Sequence, residues 1–128
     1  MLPHPEWGYF PPKETRCKCG CGADITPHMR AALNRIRTAW GKPLSVTSGA
    51  RCQAYTRKLR EDGIPAALKS AHLEGLAADL FAGAETRKFQ QWLEERLEGL
   101  GVWMEDVRFT SSWAHVQLRP CKTRTFIP

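Results

Sequence analysis

Apolar residues recur at helical spacing in three stretches of the chain. Thr26 and Pro27 are typical of a helix start, with Thr as the N-cap and Pro at the first helical position. Gly41 predicts the end of this helix, and its apolar face comprises Met29, Leu33, Ile36 and Trp40. Similar patterns predict a short basic helix over 52–62 and a third helix over 86–97.

Strands are predicted where apolar and polar residues alternate. Residues 44–47 alternate in this way and lead into Ser48-Gly49-Ala50-Arg51. Residues 76–81 predict a second strand, and 102–109 and 113–118 predict two more, joined by 110–112. Because helices and strands mix without strict βαβ alternation, the sequence predicts an α+β fold, a small antiparallel sheet packed with about three helices.

Length and composition indicate one domain. The chain has 128 residues, of which 42% are hydrophobic, so residues 1–128 can fill one core. Residues 1–24 are rich in Pro, Gly and Cys and predict an irregular arm, since its prolines oppose helix formation. No apolar run approaches the ~20 residues needed to span a bilayer. The first residues also lack the charged and apolar regions of a secretory signal, so we expect no signal peptide and no membrane insertion.

The chain is basic, with a formal net charge of +6 and a pI near 9.3. The basic residues are scattered, and no spacing typical of a zinc finger, helix-turn-helix or RNA-binding sheet occurs. We therefore expect no nucleic-acid partner. The charge fits either ordinary solubility or attraction to an anionic polymer such as the bacterial cell wall.

Five cysteines are present: Cys17, Cys19, Cys21, Cys52 and Cys121. Five is an odd number, so at least one thiol stays unpaired within a monomer, which is the state we expect. The favoured interpretation is a disulfide between Cys52 and one of the early cysteines, because C-x-C-x-C lacks the C-x2-C spacing of a zinc knuckle. The alternative is a closed structural zinc site made by Cys17, Cys19, Cys21 and Cys52.

A second set of candidate metal ligands centres on residues 70–79, which carry the pattern S-x-H-x-x-G-x-A-x-D. His72 and Asp79 flank small apolar residues, and His115 lies near the C-terminus. Alternation along the last strand places His115 and Gln117 on one face, opposite an apolar face that suits the core and aims His115 at a cleft. Three protein ligands that leave a fourth position for water are typical of catalytic zinc.

These segments resemble the zinc D-alanyl-D-alanine carboxypeptidase and L-alanyl-D-glutamate peptidase family, which has a hedgehog-like fold. Besides the motif of residues 70–79, Ser48-Gly49-Ala50-Arg51 is similar to the family's S-G-x-R element. His115-Val116-Gln117-Leu118 is similar to its H-V-[DE]-L strand. The resemblance implies a zinc ion held by His72, Asp79 and His115. It also implies peptidoglycan peptide stems as the substrate.

The resemblance assigns further roles and exposes one departure. Arg51 would anchor a substrate carboxylate, while Ser70 would either bind the substrate or cap its own loop. The family carries its general base, an Asp or Glu, three residues before the last histidine, where this chain has Ser112. Glu105 and Asp106 are the nearest carboxylates in sequence. Pairing the apolar faces of the last two strands puts Asp106 on the His115 face, so Asp106 is preferred to Glu105 as the base.

Two functions follow from these observations. The first is a zinc-dependent peptidase that hydrolyses peptidoglycan stems as a carboxypeptidase or endopeptidase, such as a phage or prophage endolysin. Such an enzyme would act in the periplasm or cell wall after release by a holin or carriage by a virion. The alternative is a non-hydrolytic, zinc-binding cell-wall or virion structural module that has lost its catalytic base, as Ser112 indicates.

Overall fold

A computed structural model of the chain describes residues 2–64, 66–67 and 69–128. Within these ranges a five-stranded sheet packs with three helices of nine or more residues, which confirms the predicted α+β class. The helices are α1 Pro12–Thr15, α2 Pro27–Trp40, α3 Gln53–Glu61, α4 Thr86–Glu94 and α5 Leu97–Leu100. Two 3-10 turns span Ala71–Glu74 and Gly83–Glu85. None of the described helices is long and apolar enough to cross a bilayer.

The caps of α2 follow the sequence closely. The Thr26 hydroxyl accepts a hydrogen bond from the Met29 amide at 3.1 Å, and Gly41 adopts the left-handed conformation at φ 75°. The third predicted helix is divided instead of continuous. α4 ends at Glu94, Arg96 leaves the helical region at φ −125°, and α5 then forms a single turn.

The strands are β1 Ser45–Ser48, β2 Ala77–Phe81, β3 Trp103–Glu105, β4 Ala114–Gln117 and β5 Thr125–Phe126. Their order in the sheet is β1-β2-β4-β3-β5, and neighbours are antiparallel except for the parallel pair β3–β5. β4 therefore lies at the centre, between β2 and β3. In its register with β2, His115 is directly opposite Asp79.

β3 is shorter than the predicted strand over 102–109. It ends at Glu105 because the chain then forms a series of turns. In these turns the Phe109 amide donates to the Asp106 carbonyl, and the Thr110 amide donates to the Val107 carbonyl. The buried amide of Gln90, on α4, holds these turns by donating to the carbonyls of Thr110 and Trp113, each at 2.8 Å. β5 was not predicted, since its two residues carry no alternation.

The core lies between the sheet and the apolar faces of α2 and α4. Side chains from the arm, both helices and three strands are fully buried there. The largest are Phe10, Met29, Leu33, Ile36, Leu80, Phe89, Leu93, Met104 and Val116. Burial on this scale supplies the main free energy of folding.

The N-terminal arm is more ordered than predicted. α1 forms within it because Pro12 occupies the first turn of the helix, where a missing N–H costs nothing. The arm also bonds to β1 and the loop that follows. Glu14 accepts from the Val46 amide at 2.7 Å, and the Thr15 carbonyl accepts from the Ala50 amide at 2.8 Å.

Candidate metal centre

Three predicted ligands meet at one point, although the first and the last are 43 positions apart in the sequence. His72 lies on the Ala71–Glu74 turn, Asp79 on β2 and His115 on β4. The Asp79 Oδ1 atom is 3.3 Å from His72 Nε2 and 3.0 Å from His115 Nδ1. The donor atoms of all three side chains lie within 4.8 Å of one another, so they can share one small cation.

The second nitrogen of each histidine has its own hydrogen-bond partner. His72 Nδ1 is 2.7 Å from the Gly49 carbonyl, which can only accept, so Nδ1 carries the proton. His115 Nε2 is 2.9 Å from Gln117 Oε1. The Gln117 amide nitrogen donates to the Arg119 carbonyl at 2.9 Å, which fixes the amide with its oxygen towards His115.

These partners decide what the group can bind. Because His72 Nδ1 and His115 Nε2 are engaged by Gly49 and Gln117, His72 Nε2 and His115 Nδ1 are the atoms that face Asp79. Each can share a proton with the carboxylate in the metal-free protein, and each presents a lone pair to a metal that replaces that proton. Ligating histidines in metal sites typically donate their other ring N–H to a carbonyl or carboxylate in this way. Two imidazole nitrogens and one carboxylate oxygen form a donor set that fits zinc with one position left open.

All three side chains are buried, and Asp79 is only 8% exposed. Burial would raise the pKa of Asp79, but hydrogen bonds from His115 and His72 outweigh it and hold this pKa well below its usual range. Burial lowers the pKa of His72. It acts in the same direction on His115, where the hydrogen bond and charge of Asp79 prevail and raise the pKa. Asp79 is thus an ionised carboxylate, available to a cation.

Arg51, the predicted substrate anchor, borders this group. Its Nη2 lies 3.7 Å from Asp79 Oδ2, and its Nε and Nη2 donate to the Ser48 hydroxyl at 3.1 and 2.9 Å. The Arg51 amide also donates to the His72 carbonyl. Ser70 acts as a cap, since its hydroxyl accepts from the His72 amide at 3.2 Å.

The carboxylate beside the group is Glu105, and the prediction that Asp106 shares the His115 face is wrong. In the register of β3 and β4, Met104 is opposite Val116, which brings Glu105 level with His115. Glu105 Oε2 lies 4.0 Å from His115 Nδ1, with its side chain 16% exposed. Burial raises the pKa of Glu105. Asp106 follows the end of β3 and bonds to the exposed Arg108.

Two residues that support the site had no signal in the sequence. Gln90 falls among the apolar positions of α4, and nothing in its pattern indicated that it holds the turns before β4. The tail residue Phe126 packs edge-on against His115, with ring centroids 6.0 Å apart. His115 is therefore covered, and its face of the sheet is less open than the alternation indicated. Ser112 lies exposed in a turn.

The cysteines form a second group. Cys52 meets Cys17, Cys19 and Cys21, and the thiol sulfurs of these four residues lie within 4.8 Å of one another. Cys52 thus lies beside the early cysteines with which a disulfide was predicted. The predicted disulfide is wrong, because all five cysteines are free in the structure and four of them converge on one point instead of joining in pairs.

Comparisons with known proteins identify the family and a similar fold. The sequence profile of the family described as Peptidase M15 matches residues 9–117. Among solved structures, the chain is similar to the crystal structure of the Serratia marcescens L-Ala D-Glu endopeptidase ChiX, with a TM-score of 0.57 and 22% identity. That match covers 73% of this chain and 80% of the other. No curated protein sequence matches.

Proposed function

The chain belongs to the peptidase M15 family, and from this premise we propose that it is a zinc-dependent peptidase of bacterial peptidoglycan stems. One observation carries the proposal. One ring nitrogen of each of two buried histidines faces the Asp79 carboxylate, and a half-buried glutamate lies beside them. The choice of substrate draws on the structural neighbour, which is named as an L-Ala D-Glu endopeptidase.

His72, Asp79 and His115 would hold the zinc ion, through His72 Nε2, a carboxylate oxygen and His115 Nδ1. The ion would polarise the scissile carbonyl and make water a stronger acid. Gly49 and Gln117 orient the two imidazoles through their hydrogen bonds. This preorganisation matters because ligands held in place need no reordering when the metal binds.

Glu105 is our candidate for the general base. It would take a proton from the attacking water and deliver it to the leaving amine. Its position opposite His115 brings the carboxylate to the edge of the metal group, and burial shifts its pKa upward, towards the range that suits proton transfer. Glu105 thereby fills the role for which Ser112 is unsuited. Asp106 is occupied by Arg108 at the surface.

Arg51 would position the substrate. Its planar guanidinium can bind a carboxylate through two parallel hydrogen bonds, and peptide stems carry such carboxylates. Its side chain is 17% exposed and borders the metal group through Asp79, so a bound carboxylate would lie close to the reacting carbonyl. Ser48 holds the guanidinium in place.

The choice of scissile bond rests on analogy with the structural neighbour. We propose cleavage within the stem, at the L-alanyl-D-glutamate bond, with removal of a terminal D-alanine as the competing outcome. The proposed place of action is the cell wall or periplasm, which a phage-type lysis enzyme would reach through a holin or in a virion. The net charge of +6 favours contact with an anionic wall.

The test is a digest of purified peptidoglycan with the zinc-loaded protein, followed by mass spectrometry of the released fragments. The wild type should release a fragment whose mass identifies the bond, whereas His115→Ala and Glu105→Gln should release none. Asp106→Asn is the matched control, since it removes a neighbouring carboxylate outside the group and should cleave normally. No product from the wild type, with zinc bound stoichiometrically, would refute the peptidase and favour the non-hydrolytic wall or virion module.

A further inference from the structure

Four free thiols form a cluster that the proposed peptidase does not use. Cys17 Sγ and Cys52 Sγ each lie 3.4 Å from Cys19 Sγ, and Cys21 completes a set whose members are all within 4.8 Å of one another. Zinc bound by four cysteines has Zn–S bonds of about 2.3 Å, which places the sulfurs about 3.8 Å apart at the corners of a tetrahedron. We propose that these four cysteines form a second, closed zinc site.

The backbone of the arm explains how C-x-C-x-C can serve as a zinc loop without C-x2-C spacing. Gly20 and Gly22 adopt the left-handed conformation at φ 82° and 90°, which residues with side chains rarely adopt. The chain therefore curls back on itself, and the Cys17 amide bonds to the Ala23 carbonyl at 2.8 Å. This curl turns three alternate cysteines towards one centre, opposite Cys52.

Backbone amides already point at two of the sulfurs. The Cys52 amide donates to Cys17 Sγ at 3.3 Å, and the Tyr55 amide donates to Cys52 Sγ at 3.3 Å, at the start of α3. Such N–H groups stabilise the negative charge of thiolate ligands. Binding one Zn²⁺ to four thiols releases four protons to the solvent and leaves a net charge of −2. That charge is acceptable in a chain with a net charge of +6.

The cysteine zinc site would act as a cross-link next to the group formed by His72, Asp79 and His115. It would join the arm to the loop after β1, where Cys52 follows directly on Arg51. The Arg51 amide donates to the His72 carbonyl, and its guanidinium contacts Asp79. Closed sites with four protein ligands are structural, since they leave no position for water or substrate. The cysteine zinc would therefore hold Arg51 in position without taking part in hydrolysis.

The experiment counts metal ions per chain after zinc loading and desalting, and then replaces zinc with cobalt. The wild type should retain two zinc ions and His115→Ala one. The cobalt form of His115→Ala should show intense thiolate-to-metal charge-transfer absorption. Cys17→Ser combined with Cys52→Ser should lose this band. Cys121→Ser is the matched control, because Cys121 lies outside the cluster, and it should retain both ions.

The decisive sample is His115→Ala, which keeps all cysteines and does not depend on whether a cysteine variant folds. Retention of no metal, with its thiols open to alkylation, would overturn the second site. So would two fewer titratable thiols under non-reducing conditions, which would indicate a disulfide. One iron per chain after purification without added metal would overturn the assignment to zinc. Any of these outcomes would leave the peptidase proposal intact, since a wild type with one zinc ion can still cleave.

Discussion

Gly49 joins the arm to the metal group, and Gly49→Ala tests that connection. A Cβ atom there would lie 2.7 Å from both Cα and the carbonyl carbon of Thr15, and closer still to the carbonyl oxygen. Carbon atoms in contact normally stay about 3.5 Å or more apart. Because the clash is with backbone, the arm must move away by about 0.8 Å or more.

The free energy of unfolding should fall by about 2–4 kcal/mol. Overpacking of this kind costs about 1–3 kcal/mol, and the displaced arm would lose the hydrogen bond from the Ala50 amide to Thr15, worth about 1 kcal/mol. With about 2.1 cal/mol/K per residue over 128 residues, the unfolding entropy is about 0.27 kcal/mol/K. The Tm should therefore fall by about 7–15 °C.

Thermal unfolding of the metal-free protein, followed by circular dichroism, measures this effect without a contribution from bound zinc. Gly99→Ala is the matched control, because a Cβ at Gly99 in α5 meets nothing within 4 Å. It should leave the Tm unchanged or raise it slightly, as Gly to Ala does in a helix. A Gly49→Ala protein that unfolds within about 1 °C of the wild type would refute the reasoning.

Three further predictions concern the metal group and the cysteines. Gln117→Leu removes the acceptor for His115 Nε2 and should weaken zinc binding about 10–100-fold in a chelator competition. Gln117→Glu keeps an acceptor and should largely preserve zinc binding. Equal zinc affinities of the two variants would contradict the proposed orientation of His115. Arg51→Met should lower kcat/KM on peptide stems about 10–100-fold with zinc content unchanged, and a normal kcat/KM would exclude Arg51 as the anchor. A backbone hydrogen bond from Tyr55 lowers the pKa of Cys52 to about 7, and the neighbouring thiols raise the pKa of Cys19 to about 12. At pH 7, iodoacetamide should therefore label Cys52 before Cys19 in the metal-free protein, and the reverse order in a peptide map would contradict this difference.

Local signals in the sequence predicted the elements that depend on nearby residues. Thr26, Pro27 and Gly41 bound α2 because caps are satisfied within a few positions of the chain. The three candidate ligands were found because residues 70–79 and 115–118 resemble two motifs of the family and occur in the same order. Their convergence then followed from the pairing of β2 with β4, which places Asp79 and His115 opposite each other.

The choice between Glu105 and Asp106 depended on distant parts of the chain. β3 stops at Glu105 because Gln90 holds the following turns, and β5 pairs along its outer edge only as far as Glu105. Neither contact leaves a trace in the residues near 105. Alternation predicted a strand that extends to residue 109. That longer strand placed Asp106 on the face of His115, where the structure has Glu105.

The central position of β4 also determines when the sheet can be completed during synthesis of the chain. Its neighbours, β2 and β3, are both made earlier, so until β4 emerges the sheet lacks its middle strand and its last ligand. Long-range pairing of this kind forms slowly, since distant segments must meet first. Under the proposed mechanism, a nascent or truncated chain would lack His115 and could not complete the metal centre, so hydrolytic competence would be gained only when β4 is inserted into the sheet.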